Sequence, residues 1–221
     1  MPTPSTQSDH SSIAISKLSA VIMVAVLFGL SLPAQAQNDW IPVNPERAGA
    51  SVRLPSRPRV YAKTFKPVVD QDPIRIHFFQ STDPEGSATF LFTYHDENEA
   101  PRNRVQIKKF LDGAVKGGVG RVLGKLEHSK EIMFSKHRGR DFVYTCTQSI
   151  PETTHLKIRT RVLMVGARVY QMNYMSKAED FNTNVATEFF ETFQFEKTPK
   201  DLPPLPRPGR AKPTIKPTVK P

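Results

Sequence analysis

The sequence holds one cysteine, Cys146, in 221 residues. A single thiol excludes an intrachain disulfide, so stability has to come from an apolar core. In "VYTCTQ" that cysteine sits in a strand-like run, where a lone Cys acts as a small buried hydrophobe. Hydrophobic residues are sparse, at 38%, but the polar and proline-rich material lies at the two ends. The middle is therefore rich enough to form one packed domain.

The spacings that signal chemistry are also missing. "GGVGRVLGK" resembles a phosphate loop, yet Val119 stands where the first glycine of G-x-x-x-x-G-K-[ST] belongs, and Leu126 follows Lys125. The dinucleotide pattern G-x-G-x-x-G fails at Leu123. These glycines read instead as the end of a helix, with Gly117 and Gly118 as its left-handed stop. The six histidines, at 10, 77, 95, 128, 137 and 155, contain no H-x-x-x-H pair, and Cys146 has no cysteine near it. "HDENE", residues 95–99, lacks the glycine of a calcium loop and reads as a solvated loop. There is no G-x-S-x-G elbow. The sequence thus points to no catalytic residue, no metal ligand and no cofactor. Triads can be assembled from scattered residues, so an uncharacterised hydrolase remains the third reading of function.

What is present begins with an apolar leader. Lys17 precedes "LSAVIMVAVLFGLSL", residues 18–32, and Ala34 and Ala36 occupy the small-residue positions of a cleavage site. Residues 1–36 therefore read as a secretory signal peptide. The rival is an uncleaved N-terminal membrane anchor, although the run is shorter than the ~20 residues that a spanning helix needs. No cysteine follows the run, which excludes a lipoprotein. The expected location is the periplasm or the exterior, with membrane contact only if the leader stays on.

The formal charge of +10 is unevenly placed. Residues 197–221 carry seven Lys and Arg against Asp201, or +6, and residues 37–196 carry only +4. That tail, "KTPKDLPPLPRPGRAKPTIKPTVKP", has eight prolines and reads as a disordered, polyproline-II-leaning extension. It serves as a spacer or as a cationic arm. The organisation expected is a leader to residue 36, a linker over 37–47, a domain over 48–196 and the tail.

Within the domain, "ASVRLP" reads as a first strand, and "IRIHFF" (74–79) and "SATFLFTYH" (87–95) read as a hairpin around "DPEGS". Ile107, Phe110, Leu111, Ala114 and Val115 share one helical face, and Asn103 with Gln106 forms a capping box, which predicts a helix over 103–116. "SKEIMFSKHRGRDFVYTCTQ" reads as two strands around "KHRG", and "HLKIRTRVLMVGARVYQMNYMS" as two strands around Val165-Gly166-Ala167. After "KAED" the period changes. Phe181, Val185 and Phe189, with Ala186, Phe190 and Phe193, form the stripe of a helix over 181–193 that must lie on the sheet. The aromatic residues near the carboxyl end are thus core and not a ligand-gripping surface.

The order of these parts, with "GRDFVYT", "ARVYQMNYMS" and "ATEFFETFQF", resembles small secreted domains widespread in planctomycete-type bacteria that have a PsbP-like fold. An extrinsic subunit of the oxygen-evolving complex and a Ran-binding import factor share that fold. The resemblance covers residues 48–196 and is most specific at Gly139-Arg140, Arg168-Val169-Tyr170, and Phe189-Phe190 with Phe193. It departs at Glu191-Thr192, where a Ser is expected beside Phe193. It implies an α+β domain, an antiparallel sheet flanked by helices, used for docking or assembly and not for catalysis. No binding residue transfers position by position.

One candidate site is read from the residues. Lys157, Arg159 and Arg161 alternate along a strand and would share a sheet face, with Arg75 and His77 on a neighbouring strand. Such a stripe suits phosphate, sulfate or uronate groups. The ordinary alternative is a wet sheet face or one covered by the first helix. The leading functional reading is an exported, non-catalytic binding or assembly module of the cell envelope. The second is a polyanion binder. Expected partners are an envelope protein or an anionic polymer, and not nucleic acid, since no basic–aromatic stacking motif is present.

Overall fold

The computed structural model describes residues 40–66, 72–148, 154–196 and 204–205. The leader and most of the tail lie outside the described residues. Among the described residues no helix is long and apolar enough to cross a membrane.

The chain order is β1 (Ile41–Val43), β2 (Ala50–Leu54), β3 (Arg59–Phe65), β4 (Ile74–Thr82), β5 (Ala88–Asp96), α1 (Arg104–Arg121), β6 (Lys125–Phe134), β7 (His137–Gln148), β8 (Thr154–Val165), β9 (Arg168–Lys177), α2 (Thr183–Glu191) and β10 (Gln194–Phe195). Seven strands form one antiparallel sheet in the order β3-β4-β5-β9-β8-β7-β6. The other three form a small sheet, β1-β2-β10. This is the expected α+β arrangement of an antiparallel sheet with helices.

Each face of the large sheet has its own core. On one face Phe78, Leu91, Phe142, Tyr144 and Ile158 meet Phe110, Leu111, Ala114 and Val115 of α1. On the other, Phe79, Phe90, Phe92, Tyr170, Met172 and Tyr174 meet the small sheet and Ala186, Phe189, Phe190 and Phe193. The stripe at the carboxyl end is therefore interior, with Phe189, Phe190 and Phe193 almost wholly buried. Phe90 stands edge-on to Phe189, with ring centres 5.4 Å apart. Burial of each such ring contributes roughly 1.5–3 kcal/mol.

The helix caps follow local chemistry. Asn103 accepts from the Gln106 amide at 2.9 Å, and Gln106 Oε1 accepts in turn from the Arg102 amide at 2.6 Å. Asn182 Oδ1 caps α2 through the amides of Asn184 and Val185.

Several local expectations are corrected. The first helix does not stop at Gly117 and Gly118 but continues to Arg121. Gly117 is buried, and at Gly118 the helix lies against the Phe142 ring. The real stop is Leu123, which has a left-handed φ of 49°. The Leu123 amide donates to Gly120 O and the Gly124 amide to Val119 O. This pair of bonds is a Schellman motif built without glycine at its left-handed residue. The β6–β7 turn is Ser135-Lys136, both at positive φ, and not "KHRG". Gly139 lies inside β7, where a side chain would sit 2.5 Å from Val162 O. The glycine serves close strand approach, not the turn. β1, β3 and β10 were not expected as strands, and β6 begins four residues before the expected "SKEIMF".

Candidate functional site

The basic strand came first in the sequence reading, and the structure places it differently. Lys157, Arg159 and Arg161 do share one face of β8, but α2 covers that face, not the first helix. Asp141 on β7 is completely buried and pairs with both arginines. Its Oδ1 and Oδ2 accept from Arg159 Nε and Nη2, each at 2.9 Å. Oδ2 also accepts from Arg161 Nη2 at 3.0 Å. Arg159 Nη1 then donates to the Thr187 hydroxyl, and Arg161 Nη1 to Phe190 O at the end of α2. Both guanidinium groups lie about 5 Å from the Phe190 ring centre. Lys157 Nζ bonds Glu127 at 2.8 Å. The stripe is thus a clamp that fixes α2 to the sheet and not an open anion cradle. Burial alone would raise the Asp141 pKa, but the hydrogen bonds and charges of Arg159 and Arg161 prevail and lower it.

Arg75 and His77 are not neighbours of this strand. β4 is separated from β8 by β5 and β9. Arg75 belongs to a different feature, a cleft at the end of the central strands.

"HDENE" was expected as a solvated loop, but His95 and Asp96 end β5 inside the fold. His95 is buried, with Nε2 at 3.0 Å from Glu97 Oε1. Asn98 Nδ2 donates to Asp72 O at 2.8 Å. Asp96 stands opposite Arg168, the first residue of β9. Arg168 Nε and Nη2 donate to the two Asp96 oxygens at 2.7 and 3.1 Å. Its Nη1 donates to Arg47 O at 2.8 Å, and the Tyr170 hydroxyl donates to Ala48 O at 2.7 Å. The "RVY" signature therefore ties the segment before β2 to the sheet. Burial lowers the Arg168 pKa, but Asp96 outweighs it and the net shift is upward. Burial pushes Tyr170 up to about 12, so it stays a neutral donor.

Beside this pair lies a cleft of about 250 Å³, lined among others by Ile74, Arg75, Asp96, Asn98, Ala167 and Leu205. His77 stacks on Tyr94, with ring centres 4.7 Å apart. Burial first, then Arg75, Arg47 and Arg168, lowers its pKa, while Asp96 opposes them. Leu205 comes from the proline-rich tail. Its amide donates to Asp96 Oδ2 at 2.7 Å, and its side chain is 8% exposed in the aromatic core. Composition placed this stretch in an extended spacer, yet Leu205 is seated in the domain. The available signal was a lone leucine amide among prolines.

Cys146 is half-buried against the α1 core, and burial raises its thiol pKa, which disfavours the nucleophilic thiolate. Among the described residues no three His, Cys, Asp or Glu side chains are placed to hold a metal ion.

No family model matches the chain, and no curated protein matches it. Similar solved structures include a cyanobacterial PsbP (CyanoP) from Synechocystis, at 8% identity and TM-score 0.47, covering 75% of this chain and 98% of that one. A Bacteroides thetaiotaomicron protein matches at 11% identity and TM-score 0.44 over 71% of this chain, which spans about half, 48%, of that protein. A Pseudomonas aeruginosa protein of unknown function matches at 10% identity and TM-score 0.40, covering 76% and 97%. A PsbP is thus among the structures that this chain resembles, and overlap at this level carries no argument about function.

Proposed function

We propose that this chain is an exported, non-catalytic binding or assembly module of the cell envelope. The leader over residues 1–36 supports export. The observation that carries binding is beside the cleft, where the Asp96 carboxylate, held by Arg168, accepts the main-chain amide of Leu205. A charge-assisted bond to a backbone N–H beside an apolar seat suits recognition of polypeptide rather than of a small substrate. The acidic groups at the other clusters are also engaged in structural pairs. Asp141 holds Arg159 and Arg161, and Asp112 holds Lys108 and Arg140.

The test is photo-cross-linking in the native envelope from a probe placed at Arg75, on the cleft rim, against one at Lys109, on exposed α1. A discrete adduct from the rim position alone is expected. Identical adducts from both positions, or none from either, would overturn the reading.

A further inference from the structure

We infer that Asp96, held by Arg168, and the aromatic core beside it form a docking seat for an extended Pro–Leu peptide at the wall of the cleft, and that Pro204–Leu205 of the chain's own tail holds this seat in cis. This deepens the binding-module reading and rests on it for the trans ligand. The cis contact stands on its own geometry.

Three observations converge. In "PPLP", residues 203–206, only Leu205 has a backbone N–H, because proline has none. That single donor is bound by Asp96 Oδ2 at 2.7 Å. Leu205, the only non-proline residue of the four, is buried at 8% exposure among the aromatic residues of the core, and Pro204 beside it is exposed. The seat thus reads both features that distinguish this tetrapeptide. Asp96 is presented for the purpose. Arg168 occupies both its oxygens from one side, which orients the carboxylate and leaves Oδ2 a further lone pair for the peptide.

The ligand is preorganised. Pro206 restricts Leu205 to extended conformations, and the flanking prolines limit the freedom lost on docking. Eleven residues, 194–204, separate Leu205 from Phe193 in the core at the domain's carboxyl end, and the first of them belong to β10. Such a short connection gives a millimolar effective concentration on the order of that found for short flexible linkers. Docking in cis therefore competes with any partner peptide. A partner would bind weakly while Leu205 is seated, and more tightly by the inverse of the vacant fraction once it leaves.

The test uses the full chain with Leu205→Asp, which puts an unpaired charge in the apolar seat and expels the segment, and a fluorescein-labelled peptide of residues 200–212 as probe. Fluorescence anisotropy should show about tenfold tighter binding to the variant than to wild type. The same peptide carrying Asp in place of Leu should bind neither. Equal binding to both proteins, or no binding to a variant that keeps the wild-type circular dichroism, overturns the proposal. If the variant does not fold, amide exchange on the wild-type chain decides. The Leu205 amide should exchange at least tenfold more slowly than in the free peptide, and a free-peptide rate overturns cis docking. A peptide that binds while rim cross-linking finds no partner leaves the docking site in place and removes the envelope function. Rim adducts unchanged by Leu205→Asp do the reverse.

Discussion

Asp141 holds Arg159 through both of its oxygens, at 2.9 Å each, from a fully buried position on the neighbouring strand. The same carboxylate takes Arg161, so one anion serves two cations beneath α2. A buried pair of this kind is not itself strong evidence of stability, but breaking it on one side leaves unpaired charge in the interior. Asp141→Ala should therefore destabilise the chain by about 3–5 kcal/mol. Urea unfolding followed by circular dichroism measures it. A loss below about 1 kcal/mol, the scale of an exposed ion pair, would show that α2 does not depend on this clamp.

Gly139 precedes Arg140, which reaches Asp112 on α1, and Asp141, which reaches the α2 side. The tripeptide thus pins both helices from one strand. A Cβ at position 139 would meet Val162 O at 2.5 Å and Leu163 Cδ2 at 2.6 Å. A backbone carbonyl in a sheet cannot retreat cheaply, so Gly139→Ala should cost about 1–3 kcal/mol. The downward shift of the thermal midpoint tests this, and an unchanged midpoint would mean that β7 and β8 separate without cost.

Leu123 offers the opposite case. It is 94% exposed and sits at φ 49° as the left-handed residue of the α1 stop. Its side chain gains nothing there and pays the left-handed penalty. Leu123→Gly should stabilise the chain by about 0.5–1 kcal/mol after the added entropy of the unfolded chain. A midpoint that rises in urea with an unchanged slope checks it.

These cases show which parts of the molecule were legible in the sequence. The stripe of Phe189 and Phe190 was readable because burial imposes a helical period, but the expected helix over 181–193 is shorter, Thr183–Glu191, and Phe181 and Phe193 lie outside it. The 74–79 and 87–95 hairpin was readable because its period of two is bounded by turn residues. β3 was missed because an edge strand with Arg59, Val60, Ala62, Lys63 and Thr64 exposed carries no apolar alternation. The basic stripe was read correctly as one strand face, yet its partner, Asp141, lies 18 residues from Arg159 along the chain. Only strand register brings them together. The cleft was invisible for the same reason, since Asp96 and Arg168 are 72 residues apart.

Acid should weaken the fold in two stages. His77 has a lowered pKa in the folded chain, so the unfolded chain binds the proton first. Its contribution is complete above the unfolded value of about 6.5 and declines as pH falls from there through the folded value. His137, lowered by burial, acts in the same direction. Asp141 is also lowered, so its contribution is present above about 3.9 and is lost as pH falls through its folded value. Urea midpoints should therefore fall first below about pH 6.5 and again below about pH 4. His77→Gln should shrink the first stage to the part that His137 carries and leave the second. A midpoint that rises on acidification through the first window contradicts the assignment.

Polyanion binding, if the chain has it, should follow the tail and not the strand. Arg159 and Arg161 are bound to Asp141 beneath α2, and Lys157 is bound to Glu127. The segment over 197–221 carries +6, against +4 for residues 37–196. Long-range attraction to an anionic polymer scales with the charge that the polymer can reach and is screened beyond about 8 Å at physiological salt. Replacing the tail's seven Lys and Arg by Gln should therefore abolish retention on heparin at that salt. Lys157→Gln should move the elution salt little, because it removes a paired charge. If Lys157→Gln lowers the elution salt more than tail neutralisation does, the β8 face is the anion site after all, and α2 must lift from it in solution.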